Sequence, residues 1–400
     1  MITHILVLLL FQFSLLSFAQ QIYNVVDFGA DNGGNVDSTN AFGEAWHSTC
    51  SSNTSSVLLV PNGEFLLRPY IFSGPCQSEK VEVRIEGTIV APINDNEIEN
   101  SEYWIKFDQI DGLEIYGGTI DARTDDVWKC KRSGGNCPHG SRVSKVFDDY
   151  SLDISGKNIK IVGLTSMNSN QQHIMIHKCE GVEVSDVHIL APENSPNTDG
   201  IHVMKSSNVR IIETSIKTGD DCISIGHGTR GLHIQNIECG PGHGISIGSL
   251  GYYEWRREEV QDITVDGAVI KGAQNGLRIK TVAKDNHGFV AGIFYNNITM
   301  VDVFNPIVID QNYCPHNSCY SYERVPSGIE IRNIRFSNIK GTSASEYAMK
   351  FDCSQNNPCK DVHLYNVHLI QGTQLKKRVQ SNCNNVIQSE STGCDPTSCF

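Results

Sequence analysis

Beyond its amino-terminal segment, the 400-residue sequence lacks any run of about 20 apolar residues, the length that a membrane-spanning helix needs. It also lacks an excess of basic residues, since 32 Lys and Arg face 45 Asp and Glu and give a net charge of −13. An acidic chain is a poor candidate for binding nucleic acid or an anionic membrane. We therefore expect neither as a partner, and an acidic polymer would need a local basic patch to bind.

The 14 cysteines include no CxxC motif, so the paired spacing typical of zinc sites is missing. Without that spacing, the cysteines favour disulfide bonds formed in an oxidising compartment, and we expect neither a metal nor a cofactor. Several cysteines are close enough in sequence to form short disulfide loops: Cys130 and Cys137, Cys222 and Cys239, Cys314 and Cys319, Cys353 and Cys359, Cys394 and Cys399.

Residues 1–19 are apolar and lack Lys and Arg, but the run is too short and too early for a membrane span. Ser17 and Ala19 fit the small-x-small pattern of a signal-peptidase site, so we expect a secretory signal peptide and a secreted chain. Two sequons, at Asn53 and Asn297, are candidate glycosylation sites in such a chain.

A short pattern recurs along the middle of the chain: a small or polar residue, then an apolar residue, any residue and another apolar residue. Its first apolar residues are Ile174, Ile201, Ile223, Ile245, Leu277 and Ile307. The intervals are 27, 22, 22, 32 and 30 residues, and the runs between them alternate apolar and polar residues as half-buried strands do. No helical stretch separates these strands, so the spacing predicts a parallel β-helix whose coils bury a continuous core.

Alternating runs extend this pattern from about residue 80 to residue 370. Before them, a strand, a loop and a short helix starting near Thr39 would cap the first coil. A β-sandwich is the rival fold, but it would use hairpin turns and does not explain the repeated strand starts. No linker interrupts the chain, so we expect residues 20–400 to form one domain.

Stacking the predicted coils gathers ionisable residues at one place. The position two residues before each first apolar residue is occupied in successive coils by Asp199, Asp221, His243 and Asn275. Adjacent coils lie about 4.8 Å apart, so these residues would form a row. Asp220 lies beside Asp221, while Arg278 and Lys280 take successive outward positions two coils on. We therefore expect three carboxylates, one imidazole and two cations on one exposed sheet.

Such a cluster suits glycoside hydrolysis. Close carboxylates push their pKa values apart, which supplies a general acid and a general base near one pH. An inverting glycosidase keeps its two carboxyls about 6.5–9.5 Å apart to leave room for a water molecule. Arg278 and Lys280 would hold a substrate carboxylate and make the groove locally basic. Clustered aspartates can instead bind calcium, but a calcium site would not need His243.

Four stretches resemble the signature motifs of polygalacturonases, the pectin-cleaving glycoside hydrolases, in order and in spacing: SPNTDGIHV (195–203), GDDCISIG (219–226), GPGHGISIGSLG (240–251) and RIKT (278–281). Three more resemble plant members of that family: YNVVDFGA (23–30), NPIVIDQNYC (305–314) and GTSAS (341–345). The resemblance covers nearly the whole chain after the signal peptide.

The resemblance implies a right-handed parallel β-helix that hydrolyses α-1,4 bonds between galacturonates with inversion, as a monomer acting on polygalacturonate or pectin in the cell wall. It implies a general acid at Asp220, supported by His243. It implies water activation by Asp199 and Asp221. It further implies a substrate-binding role for Arg278, Lys280 and Tyr313, and a disulfide between Cys222 and Cys239. No metal takes part.

One stretch departs from the plant pattern, because Ala122, Arg123 and Thr124 replace a glycine-rich segment after GGT. This places the loop beyond that coil, and an outer subsite, in question. Two other functions remain open. A calcium-dependent pectate lyase would share the fold and cleave by β-elimination, whereas a non-catalytic wall-binding protein would be expected to have lost one of the carboxylates.

Overall fold

The computed structural model describes residues 20–92, 102–124, 128–129, 150–314, 325–372 and 378–400. Within them, 30 strands pair only in parallel and wind into a solenoid with three stacked sheets. The predicted fold class, a right-handed parallel β-helix, is confirmed. No helix in these described ranges is long and apolar enough to cross a membrane.

The front sheet contains β5 (Tyr70–Ser73), β8 (Tyr103–Asp111), β11 (Tyr150–Val162), β13 (Gln172–Ser185), β15 (Ile201–Met204), β18 (Asp221–Ile225), β20 (Gly244–Leu250), β22 (Asn275–Val282), β24 (Asn305–Tyr313), β26 (Tyr347–Asp352) and β28 (Gln380–Asn384). The middle sheet contains the later parts of β11 and β13 together with β1 (Gln21–Asn24), β3 (Ser56–Val60), β6 (Val81–Ile85), β9 (Leu113–Tyr116), β16 (Ser207–Ile212), β19 (Thr229–Cys239), β21 (Arg257–Lys271), β23 (His287–Val303), β25 (Ile329–Ser343), β27 (Cys359–Gln371), β29 (Val386–Ile387) and β30 (Glu390–Thr392). The third sheet contains the ends of the long strands from β19 to β27 together with β2 (Gly33–Asp37), β4 (Glu64–Leu66), β7 (Thr88–Val90), β10 (Thr119–Asp121), β12 (Thr165–Met167), β14 (His188–Leu190) and β17 (Ser215–Lys217).

The core lies inside the solenoid, where the repeated apolar residues stack in register. One row of the front sheet consists of Ile174, Ile201, Ile223, Ile245, Leu277, Ile307 and Met349. Every member is at most 1% exposed. Burying one such side chain contributes about 1.5–3 kcal/mol, so a coil is stabilised chiefly by its neighbours rather than by its own contacts.

A bend within the middle sheet explains the abundance of Gly and Asn. The residues stacked at this bend have a positive φ of 53–73°, and they are Asn158, Gly181, Asn208, Gly231, Asp262, Gly292, Asn333 and Asp361. The left-handed region costs most L-residues about 1–2 kcal/mol, while Gly, Asn and Asp adopt it routinely. These residue types therefore fix where each coil turns.

The amino-terminal end of the solenoid is covered by α1 (Thr39–Cys50), close to the predicted start at Thr39. Before it, the 3₁₀ helix η1 (Val25–Phe28) follows β1. Phe42 and Trp46 of α1 lie buried on the first coil, where Trp46 packs against Phe72 and Phe107. The helix therefore closes the apolar interior that an open first coil would expose to water.

The described disulfides link Cys50 to Cys76, Cys222 to Cys239, Cys353 to Cys359 and Cys383 to Cys399. The predicted pairing of Cys394 with Cys399 is wrong, because Cys383 of β28 lies opposite Cys399 at a Cα–Cα distance of 5.7 Å and leaves Cys394 as a free thiol. Cys314 is disulfide-bonded. The predicted signal peptide (residues 1–19), Cys130, Cys137 and Cys319 lie outside the described residues.

Candidate active site

The clustered ionisable residues lie where the central strands of the front sheet begin. Asp199 lies two residues before β15, Asp220 immediately precedes β18, Asp221 is the first residue of β18, and His243 immediately precedes β20. Polar ligand atoms of Asp220, Asp221 and His243 all lie within 4.8 Å of one another. The structure therefore brings Asp221 and His243 of the predicted row together with the adjacent Asp220.

Their register differs from the predicted row by one residue. The pairing of β18 with β20 aligns Asp221 with Gly244 but Ile223 with Ile245, so Cys222 forms a bulge between them. His243 consequently lies beside Asp220 rather than Asp221. Its Nδ1 is 2.7 Å from Asp220 Oδ1, and its backbone N–H donates to the Asp220 carbonyl at 2.9 Å.

Asp220 has hydrogen-bond partners on three sides. Besides His243, the backbone N–H of Asn197 donates to Asp220 Oδ2 at 3.0 Å, and the N–H of Asp221 donates to Oδ1 at 2.8 Å. The Asp220 side chain remains 18% exposed. Its carboxyl group is thus fixed in orientation while still accessible from the groove.

Asp221 has different partners. Arg278 Nη2 donates to Asp221 Oδ1 at 2.8 Å, and Lys280 Nζ donates to Oδ2 at 3.0 Å. Both cations were predicted to lie on an exposed strand face, but their side chains are only 11% exposed because they extend across β20 to the buried Asp221. Ser246 of β20 completes the contact by donating to Asp221 Oδ1 at 2.6 Å.

The environments of Asp199 and Asp221 push their pKa values in opposite directions. Burial raises the pKa of Asp221, but the charges of Lys280 and Arg278 and the hydrogen bonds from Ser246 and Lys280 outweigh it and lower the pKa to about 2. For Asp199, desolvation and the negative charges of Asp220 and Asp221 raise the pKa well above its usual range. One carboxylate is therefore held ionised, while the other takes up a proton readily.

Several residues that contact the aspartate cluster were not predicted from the sequence. Ser224 contacts Asp199, and its Oγ lies 2.6 Å from Nδ1 of His202. Burial lowers the pKa of His202 to about 4, so its ring is neutral at physiological pH. Ser224, Ser246 and His202 share the middle position of the apolar–any–apolar pattern. That position faces outward and was the signal by which they could have been found.

An open groove adjoins the cluster. It has a volume of about 480 Å³ and is lined by residues that precede the front-sheet strands, among them Glu193, Gly242, His243, Gln274 and Phe304. Tyr313, at the end of β24, places its ring 5.6 Å from Lys280 Nζ. Tyr313 thus lies within contact range of the cationic end of the cluster.

The divergent stretch after GGT lies at the end of β10 on the third sheet. Arg123 donates to Glu64 at 3.0 Å, and the hydroxyl of Thr124 donates to the Asn168 carbonyl at 2.6 Å. These contacts tie the first residues of the loop to neighbouring coils. The rest of the loop, except 128–129, lies outside the described residues up to 149.

The donor set fits a divalent cation poorly. Asp220, Asp221 and His243 are close enough together to share an ion. However, both oxygens of Asp221 already accept from Arg278 and Lys280, whose charges would repel a further cation. The arrangement instead suits acid–base chemistry on an anionic ligand.

Comparisons with known proteins agree with this chemistry. The sequence profile of glycosyl hydrolases family 28 matches residues 50–394. The chain is 43% identical to a polygalacturonase from Prunus persica over 94% of this chain and 93% of that protein. It is 38% identical to an exopolygalacturonase from Platanus acerifolia, covering 87% and 90%. The fold is similar to a polygalacturonase from Erwinia carotovora, with a TM-score of 0.69, 24% identity and coverage of 93% and 97%.

Proposed function

The chain belongs to glycosyl hydrolases family 28 as a polygalacturonase, and we propose that it hydrolyses α-1,4-galacturonosyl bonds of polygalacturonan and pectin by single displacement with inversion. The observation that carries the proposal is that three adjacent carboxyls have different partners and different environments. Asp220 contacts His243 and the groove, while Asp199 and Asp221 differ in their affinity for a proton.

Asp220 is the general acid. Its proton passes to the glycosidic oxygen of the leaving sugar as the bond to the anomeric carbon breaks. His243 at 2.7 Å and the Asn197 N–H at 3.0 Å fix the carboxyl toward the groove and stabilise the carboxylate that forms after transfer. Because the side chain is partly exposed, a sugar oxygen can reach it without a rearrangement of the fold.

Asp199 and Asp221 activate the water that attacks the anomeric carbon from the opposite face. A base with a raised pKa is the stronger proton acceptor, so the proton of the water passes to Asp199. Asp221, held ionised by two cations, orients the water and keeps a negative charge beside the developing oxocarbenium ion. The water oxygen replaces the leaving sugar oxygen on the other face, which inverts the anomeric configuration.

Arg278 and Lys280 bind the carboxylate of the sugar next to the cleaved bond. A guanidinium carries five N–H donors and an ammonium carries three, so the single bond that each makes to Asp221 leaves donors for a substrate. Tyr313 packs beside Lys280 at the same subsite. This locally basic floor offsets the net charge of −13 and allows an acidic polymer to bind.

We further propose that the protein is secreted and acts in the cell wall. Residues 1–19 act as a signal peptide, and residues 20–400 form one catalytic domain that works as a monomer in the cell wall. Asn53 and Asn297 are both exposed, which suits their predicted glycosylation. Nucleic acid, membranes, metals and cofactors have no part in the reaction.

The test is an assay of the purified protein on demethylated polygalacturonate in the presence of a chelator, following new reducing ends and unsaturated products together. We expect reducing ends without unsaturated sugar, and α-to-β inversion of the first product by proton NMR. The length distribution of the products then separates endo from exo cleavage. Unsaturated ends that disappear with chelator would identify a lyase, and the absence of any product would favour a binding protein.

A further inference from the structure

Lys350 lies on the front sheet, two coils beyond Arg278. It is the central outward residue of β26, and the strand register aligns it with Val308 of β24 and, through Val308, with Arg278 of β22. Two coil steps of about 4.8 Å separate Lys350 from Arg278, so the two cations are about 10 Å apart along the solenoid axis. They thus occupy one line that a polymer lying along the groove would follow.

The surroundings of Lys350 are polar and aromatic but not acidic. Its Nζ donates to Oδ1 of Asn305 and lies 5.9 Å from the ring centres of both Phe304 and Tyr347. Among the residues that the structure describes, no carboxylate forms an ion pair with Lys350, although the side chain is half-buried. Desolvation accordingly lowers the pKa of its ammonium group.

An unpaired, partly desolvated cation favours an anionic ligand, because the ligand restores the electrostatic stabilisation that burial removed. Phe304 and Tyr347 are 51% and 36% exposed, so their ring faces are free to pack against the C–H face of a sugar. The neighbouring row of the floor runs from Lys280 to Asp310 and Asp352, and these two carboxylates would repel an acidic sugar from that side.

The groove joins this cluster to the active site. Its lining includes His243 of the active site and Phe304, whose ring lies 5.9 Å from Lys350 Nζ. Beneath it, Asn305 Nδ2 donates to Asn275 Oδ1 at 3.1 Å, so hydrogen bonds link the coil after His243 to the Lys350 ammonium. A polymer bound at Asp220 can therefore continue along the groove to Phe304, beside Lys350.

We propose that Lys350 binds the carboxylate of a second galacturonate residue, away from the cleaved bond, while Phe304 and Tyr347 pack against the ring of that sugar. This inference rests on the proposed function, since it extends the same groove. It assigns Lys350 a role in recognising longer substrates rather than in the chemical step.

The test is Lys350→Met, assayed on polygalacturonate and on a series of oligogalacturonates. Removing one charge-assisted hydrogen bond from a subsite should lower kcat/KM on the polymer and on long oligomers about tenfold, mainly through KM. The shortest oligomer that the wild type cleaves does not reach Lys350, so its kcat/KM should stay within about twofold. Lys340→Met is the matched control, because Lys340 is exposed on the third-sheet part of β25 and should leave all substrates unaffected.

Methyl esterification supplies a second readout. Masking the substrate carboxylates should shrink the difference between the wild type and Lys350→Met, because the ester removes the group that Lys350 binds. A loss that is equal for all oligomer lengths, or no loss on the polymer, would overturn the Lys350 assignment while the hydrolase function stands. A wild type that releases no reducing ends would refute both proposals.

Discussion

Three aspartates a few ångströms apart differ because their neighbours differ. Asp220 accepts from two backbone N–H groups and contacts an imidazole, Asp221 is held between two cations, and Asp199 faces two other carboxylates. In the proposed mechanism, the same side chain thus acts as an acid, a fixed charge or a base according to its neighbours.

If Asp220 is the general acid as proposed, Asp220→Asn should lower kcat by at least about 10³-fold, because an amide of the same shape cannot supply the proton. Binding should survive, since Arg278 and Lys280 are unchanged. The measurements are initial rates on polygalacturonate and the affinity for oligogalacturonate by calorimetry. A variant that keeps a rate near that of the wild type would refute the assignment of Asp220.

Substitutions of Asp221 and Asp199 should affect the free energy of unfolding differently. At pH 7, Asp221→Asn should lower the free energy of unfolding by about 3 kcal/mol, because Arg278 and Lys280 lose their buried counter-charge. Asp199→Asn should leave it unchanged or raise it by about 1 kcal/mol, because the repulsion from two carboxylates disappears. Both should lose activity.

Thermal and denaturant unfolding at pH 7 measure this difference. The depressed pKa of Asp221 contributes stability above the usual Asp value of 3.8, and this contribution is lost as pH falls toward about 2. The contrast between the two variants should therefore shrink in acid. Equal destabilisation by both substitutions would contradict the opposite pKa shifts.

The acid limb of the pH–rate profile should report Asp199. As pH falls through the raised pKa of Asp199, the base becomes protonated and kcat/KM declines. Lys280 lowers the pKa of both Asp199 and Asp221, so Lys280→Met should move the acid limb to higher pH as well as weaken binding. Lys340→Met provides the control of equal charge change, and an unmoved limb in Lys280→Met would count against Asp199 as the base.

At the scale of the elements, the geometry of the site depends on the disulfide and the strand pairing that connect one coil to the next. The Cys222–Cys239 disulfide lies within the coil that carries Asp220 and Asp221, and Cys222 itself forms the bulge that brings His243 to Asp220. A covalent link at this point restrains both the pair of aspartates and their neighbour on the next coil.

Removing this disulfide, as Cys222→Ser with Cys239→Ser, should lower the free energy of unfolding by about 3 kcal/mol, given a closed loop of this length. It should also lower kcat, because the bulge is no longer fixed. Cys353→Ser with Cys359→Ser is the control: its shorter loop should cost about 2 kcal/mol and leave kcat unchanged. Denaturant unfolding curves measure the loss of stability, and kcat is measured at a temperature where all variants are folded. An equal loss of kcat in both double variants would contradict the role of the Cys222–Cys239 disulfide.

The strand pattern was predictable because burial imposes it. Ile201, Ile223 and Ile245 recur at the interval of one coil, and the interior admits only apolar side chains at those positions. The bulge at Cys222 was not predictable, because counting residues from the apolar pattern assumes that each strand has equal length. One extra residue moved His243 from Asp221 to Asp220.

The partners of Arg278 and Lys280 were equally hidden from the sequence. Outward positions on a strand read as exposed, but long side chains can cross a neighbouring coil to reach a charge. Asp221 lies two coils away from both cations and attracts them across Ser246. Sequence periodicity specifies the face of a strand, whereas the contacts of a flexible side chain depend on the charges within its reach.

At the scale of the whole molecule, the solenoid has ends that must be covered. α1 closes the first coil, and Phe42 is fully buried there against Phe65 at a ring distance of 6.1 Å. An uncapped coil would expose its apolar interior and a row of unpaired backbone groups. The helix therefore contributes to the stability of the domain, although it lies far along the solenoid axis from the proposed catalytic carboxyls.

Phe42→Ala should lower the free energy of unfolding by about 3–5 kcal/mol, the usual cost of emptying a buried aromatic site. At low temperature kcat should stay unchanged, because the helix does not contact the active site. Ile22→Ala is the control, since Ile22 of β1 is 53% exposed and its removal should cost less than about 0.5 kcal/mol. Calorimetric unfolding distinguishes the two, and similar melting temperatures would mean that α1 does not act as a cap.

The outward row of the front sheet carries charged residues only on some of its coils. From β18 to β26 it presents Ser224, Ser246, Arg278, Val308 and Lys350, one residue for each coil. Charge therefore recurs at intervals set by the pitch of the solenoid rather than continuously. With the proposed contact at Lys350, binding depends on the spacing of free carboxylates along the polymer. Two pectins with equal numbers of unesterified galacturonates should therefore differ as substrates when these sugars are clustered in one and scattered in the other.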